Sequence, residues 1–203
     1  MKKIIITALI MFVNIINAQY PILTTTNLSN NPTDDPNFLK NGNYAKDFNN
    51  ERNQYVGLWR YQTADILFEL KMEKRDEYLS NLSYQNYHYY FYRDIIIFKY
   101  KLVKNGVIIH DNLDAVIPAS GYFSCATKHG DNNYLSGRMI DVTRNVNAVV
   151  SINRIPGTNP NKIFFDLSSG TYALLNPPEY YISQPNIDLF NIPVDGIEMV
   201  RVY

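Results

Sequence analysis

The sequence predicts an all-β fold, most simply an antiparallel β-barrel of about eight strands. Apolar and polar residues alternate with period two in several segments after residue 55, as in strands with one buried and one wet face. Turn signals rich in Gly, Asn and Pro separate these segments at short intervals. A closed barrel is favoured because closure removes exposed sheet edges, and a β-sandwich is the alternative.

Residues 1–18 have the layout of a secretory signal peptide. Lys2 and Lys3 precede an apolar run, and cleavage is expected between Ala18 and Gln19. The run is shorter than the roughly 20 apolar residues that a transmembrane helix needs, and no later segment reaches that length. We therefore expect an exported protein with no integral membrane segment after leader cleavage. It would reside in the periplasm, on the outer surface or outside the cell.

The charge balance argues against nucleic-acid binding, and the cysteine count excludes an intramolecular disulfide. The chain has 19 Lys and Arg against 19 Asp and Glu, and leader removal takes away two lysines. A balance this close to zero gives no electrostatic basis for binding nucleic acid. Cys125 is the only cysteine, so no intramolecular disulfide can form and a packed core must provide the stability.

Residues 19–50 are predicted to form an extended arm rich in Pro and Asn. Pro21, Pro32 and Pro36 interrupt regular structure there, so the arm has to lie on the rest of the chain. Residues 51–203 are then expected to form a single β-barrel-like domain.

Two segments show the clearest strand pattern. They are DILFELKMEK, residues 65–74, and DIIIFKYKLV, residues 94–103. Asn105-Gly106 follows the second segment and predicts a two-residue hairpin turn. Further strands are expected in GRMIDVT, NAVVSINRI, KIFFDLSS and GIEMVRVY. The predicted core positions of the two clearest strands are Ile66, Phe68, Leu70, Met72, Ile96, Phe98, Tyr100 and Leu102.

The stretch YVGLWRY, residues 55–61, begins the first barrel strand. Gly57 and Trp59 share one face, where Gly permits close approach and Trp can plug the end of a barrel. Arg201 in the last strand could stack on the indole and form a structural latch between the first and last strands. The alternative is a core aromatic and an exposed end-strand charge.

The tyrosine-rich stretch near residue 90 is the candidate ligand-binding surface. Tyr87, Tyr89, Tyr90 and Tyr92 combine apolar rings with polar hydroxyls. Such side chains suit a wet binding face that stacks on sugars or holds an apolar ligand at a barrel mouth. The alternative is a strand with tyrosines on both faces, favoured by β-propensity.

No metal site and no cofactor are predicted. The three histidines are far apart in sequence, and neither HExxH nor paired cysteines occur. Cys125, His129 and Asp131 could supply a nucleophile, a base and an orienting group, but they crowd one loop-like stretch, whereas such groups usually come from distant parts of a chain. We therefore expect that the protein is not an enzyme, with a hydrolase that uses these residues or a carboxylate pair as a remote alternative.

Several motifs together resemble a family of small exported proteins of unknown function from flavobacteria and their relatives. The motifs are YPILTTT, NFLKNGNY, NNERNQYVGLWRY and RDIIIFKYKLVKNG. This resemblance implies no activity, cofactor or site. The matching positions are Tyr20-Pro21, Tyr55-Val56-Gly57, Trp59, Arg93-Asp94, Tyr100 and Ile192-Pro193.

Gly57, Trp59 and Arg201 also resemble the Gly-x-Trp and basic last-strand residue of the lipocalin and calycin group. This resemblance implies a lipocalin-like barrel, although the long Pro-rich arm differs from the short segment that usually precedes the first strand in that group.

The sequence leaves two main functions open. The barrel could hold a small apolar or amphipathic ligand, or it could be filled by side chains and serve as a surface or matrix interaction protein. Whether the interior has room distinguishes the two.

Overall fold

The computed structural model describes residues 20–30, 35–38, 40–84, 87–118, 123–128, 134–144, 146–159, 161–174, 190–193 and 196–202, without the side chains of 82–84, 87 and 168–174. The predicted signal peptide lies outside these residues. Within them, no helix has the length and apolar character needed to cross a membrane.

The described residues form strands β1 to β11 and a short 3₁₀-helix at Glu51–Gln54. The strands are β1 (Thr24–Asn27), β2 (Asn43–Lys46), β3 (Gly57–Gln62), β4 (Ile66–Tyr84), β5 (Tyr87–Lys104), β6 (Val107–Asp111), β7 (Cys125–Lys128), β8 (Tyr134–Asp141), β9 (Val146–Ile155), β10 (Lys162–Leu174) and β11 (Ile197–Arg201).

Eight of these strands close into an antiparallel barrel. Around the ring, β3, β4, β5, β7, β8, β9, β10 and β11 follow one another in chain order. The ring is complete because β11 pairs with β3, where Arg201 faces Trp59, and because β5 pairs with β7, where Ile96 faces Ala126. The predicted all-β barrel is confirmed, and closure decides against the sandwich.

Three strands lie outside the ring. β6 pairs with the end of β5 through a turn in which Asn105 and Gly106 have φ angles of 49° and 75°. Positive φ at both positions is what the predicted Asn-Gly hairpin requires. β1 and β2 add to the other end of β5 by parallel pairing, with Tyr44 opposite Tyr92.

Large side chains pack against one another in the barrel interior. The ring of Phe68 in β4 meets the ring of Phe165 in β10 with centroids 5.5 Å apart, although two strands separate β4 from β10 around the barrel. Phe68 also lies 6.1 Å from the ring of Tyr100 in β5. The predicted inward positions of β4 and β5 are confirmed. The largest fully buried side chains include Trp59, Tyr55, Tyr100, Phe68, Phe98, Phe165, Leu70, Met72, Ile96 and Leu102.

β4 and β5 extend well beyond the predicted segments. Their ladder runs from the pair Ile66 and Lys104 to the pair Tyr84 and Tyr87. The sequence pattern marked only the barrel part, because polar residues dominate the remainder of β4.

A bulge divides this ladder. The register shifts between Arg75 and Tyr78, and Glu77 within the shift has a φ of 52°. Such a bulge bends the strand and redirects its side chains. Beyond it, Tyr78–Tyr84 and Tyr87–Arg93 form a two-stranded extension that we call the tyrosine hairpin.

Gly137 in β8 lies close against the backbone of the neighbouring strand β7. A Cβ at this position would lie 2.1 Å from the carbonyl oxygen of Cys125 and 2.4 Å from Cα of Ala126, both in the backbone of β7. Since that backbone can move only by disturbing the β7–β8 pairing, Gly137→Ala should lower the free energy of unfolding by about 3 kcal/mol, measured by urea denaturation.

Gly157→Ala is the matched control. Nothing lies within 4 Å of a Cβ there, and only the positive φ of 72° opposes alanine, so the expected loss is about 1 kcal/mol. Equal losses in the two variants would show that the close approach at Gly137 is unimportant.

Candidate binding surface and its supports

Arg201 and Trp59 meet where the first and last barrel strands pair. The guanidinium carbon of Arg201 lies 5.7 Å from the centroid of the Trp59 ring. A Cβ at Gly57 would lie 3.1 Å from Nε of Arg201, so glycine leaves the space that the guanidinium occupies. Arg201 also donates a hydrogen bond to the carbonyl oxygen of Val56. The structure thus brings together all three residues of the predicted latch.

Trp59 itself is fixed in the core. Its side chain is fully buried, and its indole Nε1 donates a hydrogen bond to the carbonyl oxygen of Tyr55 at 2.7 Å. The buried indole N–H therefore has the partner that burial requires.

Two of the four predicted binding tyrosines hold the N-terminal arm. Tyr90 donates a hydrogen bond through its hydroxyl to the carbonyl oxygen of Pro21 at 2.9 Å, and Tyr92 donates one to that of Tyr20 at 2.6 Å. The rings of Tyr20 and Tyr90 lie edge to face, 5.1 Å apart. Tyr90 and Tyr92 thus contact the chain's own arm through their hydroxyl groups.

Tyr89 lies on the opposite face of the tyrosine hairpin. Since Ile96 in the same strand points into the barrel, alternation directs the odd-numbered residues of β5 outward. The ring of Tyr89 lies 5.5 Å from that of Phe91, and the guanidinium carbon of Arg93 lies 4.3 Å above the Phe91 ring. We call Tyr89, Phe91 and Arg93 the outer strip. The side chain of Tyr87, the fourth predicted residue, lies outside the described residues.

A buried ionic network that the sequence did not reveal lies where the hairpin leaves the barrel. Arg52 is 3% exposed, and its guanidinium lies 3.0 Å from Asp47, 3.1 Å from Asp94 and 2.6 Å from Asp76. It also donates a hydrogen bond to the carbonyl oxygen of Ile95 at 3.0 Å. The network joins the 3₁₀-helix to both β4 and β5.

Asp94 connects this network to the arm and to the β4 bulge. It accepts hydrogen bonds from the hydroxyl of Tyr44 at 2.6 Å, from the backbone N–H of Asp47 at 2.8 Å and from the backbone N–H of Glu77 at 3.1 Å. Burial, together with the Asp94 carboxylate, raises the pKa of Tyr44, which keeps this hydroxyl a hydrogen-bond donor.

A second buried cation, Lys128, pairs with Glu51. The Lys128 side chain is almost fully buried and contacts the Glu51 carboxylate, which also accepts a hydrogen bond from the hydroxyl of Ser29 at 2.8 Å. Burial raises the pKa of Glu51, but the hydrogen bonds from Lys128, Ser29 and Asn49 outweigh it. The pKa therefore lies below the usual value.

Of the three residues of the catalytic alternative, only Cys125 is among the described residues. Burial raises the pKa of the Cys125 thiol, which disfavours the thiolate form. His129 and Asp131 lie outside the described residues. His110 stacks against Tyr100 with ring centroids 4.4 Å apart, and burial lowers its pKa. Among the described residues, no group of three or more His, Cys, Asp or Glu side chains could hold a metal ion.

The chain belongs to a family of unknown function, DUF6705, whose profile matches residues 1–200. Neither the curated proteins nor the solved structures contain a significant match to it. The function therefore has to be inferred from the geometry.

The latch leads to a stability prediction. Arg201→Met keeps much of the apolar stem but removes the cation above Trp59 and the hydrogen bond to the Val56 carbonyl. The expected loss is about 1–2 kcal/mol, seen as a lower melting temperature in circular dichroism. Arg144→Met, at an exposed arginine, is the control and should melt like the wild type. An unchanged melting temperature in Arg201→Met would count against the latch.

The Glu51–Lys128 pair leads to a pH prediction. Because the folded-state pKa of Glu51 is depressed, its stabilising contribution is complete above the unfolded-state pKa and is lost as the pH falls through the folded-state pKa. Glu51→Gln should therefore be less stable than wild type at neutral pH, and the difference should shrink in acid below the usual carboxyl pKa of 4.5.

Urea denaturation at neutral and acidic pH measures this effect. Glu198→Gln is the control, because the Glu198 side chain is 57% exposed and its pair with Lys162 should contribute little. A stability difference for Glu51→Gln that is the same at every pH would contradict the assignment.

Proposed function

We propose that this chain is an exported, non-catalytic interaction protein whose partner contacts the outside of the tyrosine hairpin. The packing of large rings across the barrel interior is the observation that supports the proposal. Phe68 and Phe165 meet across the interior, and Trp59 and Arg201 occupy the junction of the first and last strands. With these rings in the interior, the barrel acts as a rigid support.

The outer strip offers the chemistry of a protein interface. Aromatic and arginine side chains are enriched in interface cores, and Tyr89, Phe91 and Arg93 form a continuous row of them on one strand face. On the arm, Ile22 and Leu23 are 42% and 64% exposed, so apolar contact area is available there too.

A small internal ligand is the second candidate function. The hydroxyl of Tyr55 is buried and has no hydrogen-bond partner among the described residues. A polar group of a ligand inside the barrel would satisfy this hydroxyl, as in lipocalin-like binding. The likeness to lipocalins is further supported by the chain-order ring of eight strands and by the Arg201–Trp59 contact.

Export is inferred from residues 1–18, and a flavobacterial origin is inferred from the motifs shared with exported proteins of that group. A periplasmic, outer-surface or extracellular location is compatible with this leader.

Native mass spectrometry of the protein purified from its host tests the filled barrel. The expected mass is that of the chain without residues 1–18 and without any bound molecule. A small molecule that is released only on unfolding would contradict the proposal and favour the internal ligand. Loss of a different N-terminal segment would contradict the predicted cleavage site.

Site-specific photocrosslinking tests the outer strip. A photoreactive amino acid in place of Tyr89 should give a discrete covalent adduct in the host. The same group in place of Val149, which is 40% exposed on the barrel wall, should give none. No adduct at Tyr89, or the same adducts at both positions, would count against a partner at this surface.

A further inference from the structure

β6 has one edge with which no second described strand pairs. The eight strands of the barrel ring pair on both sides, whereas β6 lies outside the ring and pairs with β5 alone among the described strands. The free edge of a strand carries a row of unpaired N–H and C=O groups, which form a template for another strand. The β6 edge is therefore available for pairing.

The side chains at this edge are apolar. Val107 and Ile108 are 61% and 59% exposed, Ile109 is exposed as well, and the three residues include neither a charge nor a proline. Exposed edges in soluble proteins usually carry charged residues or proline, which prevent pairing with other chains. An unprotected apolar edge of this kind is typical of an interaction site.

The turn before β6 determines which of its backbone groups point outward. In a two-residue turn such as Asn105-Gly106, the flanking residues Lys104 and Val107 exchange backbone hydrogen bonds. The next pair, Val103 and Ile108, is then a non-hydrogen-bonded pair, so the N–H and C=O of Ile108 point away from β5. Ile108 can therefore exchange two hydrogen bonds with an added strand.

β6 is held firmly against the barrel at its other end. The ring of His110 lies on that of Tyr100 with centroids 4.4 Å apart, and Asp111 pairs with Lys101 at 2.8 Å. The backbone N–H of Asn112 donates a hydrogen bond to the carbonyl oxygen of Tyr100 at 3.1 Å. Because the edge is already ordered, an added strand would not have to order it on binding.

Ile108 also continues an apolar row on the outer wall of the barrel. Leu67 in β4 lies opposite Val103 in β5, and Val103 lies opposite Ile108 in β6. The row faces outward because the neighbouring residues Phe68 and Leu102 point into the core. A strand added at β6 would extend this row, so apolar contact would supplement the backbone hydrogen bonds.

We propose that β6 is a dimerisation edge, at which two copies of this chain pair antiparallel about a two-fold axis with their Ile108 residues opposite each other. A two-fold contact of this kind requires a segment that is complementary to itself. Val107–Ile109 brings no like charges together, because it carries none. Lys104 precedes the turn and Asp111 ends the strand, so antiparallel pairing places the cationic end of each edge beside the anionic end of the other. Parallel pairing would place like charges side by side.

The dimerisation edge and the outer strip lie at opposite ends of β5. The outer strip belongs to the tyrosine hairpin at the start of this strand, whereas β6 pairs with Lys101–Lys104 at its end. A dimer formed through β6 would leave both outer strips free, so one dimer would offer two partner sites. The two proposals rest on different surfaces, and either can fail without the other.

Sedimentation velocity of the purified protein over a concentration series tests the dimer. The register shift in the β5–β6 ladder shortens the edge, so we expect a small interface and a dissociation constant of about 1–100 μM. Ile108→Lys should abolish the dimer, because the two-fold axis would place two cations opposite each other. Val149→Lys, on the exposed barrel wall, is the matched control and should dimerise like the wild type.

Ile108→Pro separates strand pairing from general apolar association. It removes the N–H that points away from β5 but keeps an apolar side chain, and edge strands tolerate proline at such positions. This variant should weaken the dimer by about tenfold or more. Circular dichroism should show that each variant is folded, because Ile108 is exposed and lies outside the core.

A cysteine at residue 108 tests the register. In a Cys125→Ser background, Ile108→Cys should form an intermolecular disulfide in air, because the Cα atoms of a hydrogen-bonded antiparallel pair are about 5.5 Å apart, a distance that a disulfide spans. Val149→Cys in the same background should form none. The proposal would be overturned by a protein that stays monomeric up to about 1 mM, by a dimer that survives either Ile108→Lys or Ile108→Pro, or by equal crosslinking at residues 108 and 149.

Discussion

The buried carboxylate of Asp94 joins the three parts of the molecule. It lies where β5 leaves the barrel, and it contacts Arg52 of the 3₁₀-helix, Tyr44 of the arm and the backbone of Glu77 in the bulge. Asp94 and Arg52 are both almost fully buried, so removing Arg52 would leave the Asp94 carboxylate without its counter-charge at a cost of about 3–5 kcal/mol. The positions of the arm and the hairpin therefore depend on this one ion pair.

The bulge and the arm explain why the tyrosine hairpin has two different faces. After the register shift, Tyr90 and Tyr92 face the arm and donate hydrogen bonds to its backbone. Tyr89 and Phe91 face outward because side chains alternate along the strand. The tyrosines that looked equivalent in the sequence thus have different surroundings: one set fixes the arm, and the other belongs to a half-buried aromatic row on the opposite face.

Period-two alternation was sufficient to predict the barrel core, because one face of each barrel strand is buried. Phe68 and Phe98 point inward as predicted, and the Asn105-Gly106 turn has the φ angles that its sequence favours. Burial of Arg52 and Lys128 was not predictable, because it depends on carboxylates that only the fold brings near. The parallel pairing of β1 and β2 with β5 likewise has no local sequence signal.

The outward face of β5 carries the side chains on which the proposed partner contact rests. Along this strand, Tyr89, Phe91 and Arg93 share the outward face with Ile95 and Ile97 of a second apolar cluster. Aromatic rings supply contact area, and a guanidinium supplies specificity for charge. A partner that presents an anionic group beside an apolar surface would satisfy both features of this strand at once.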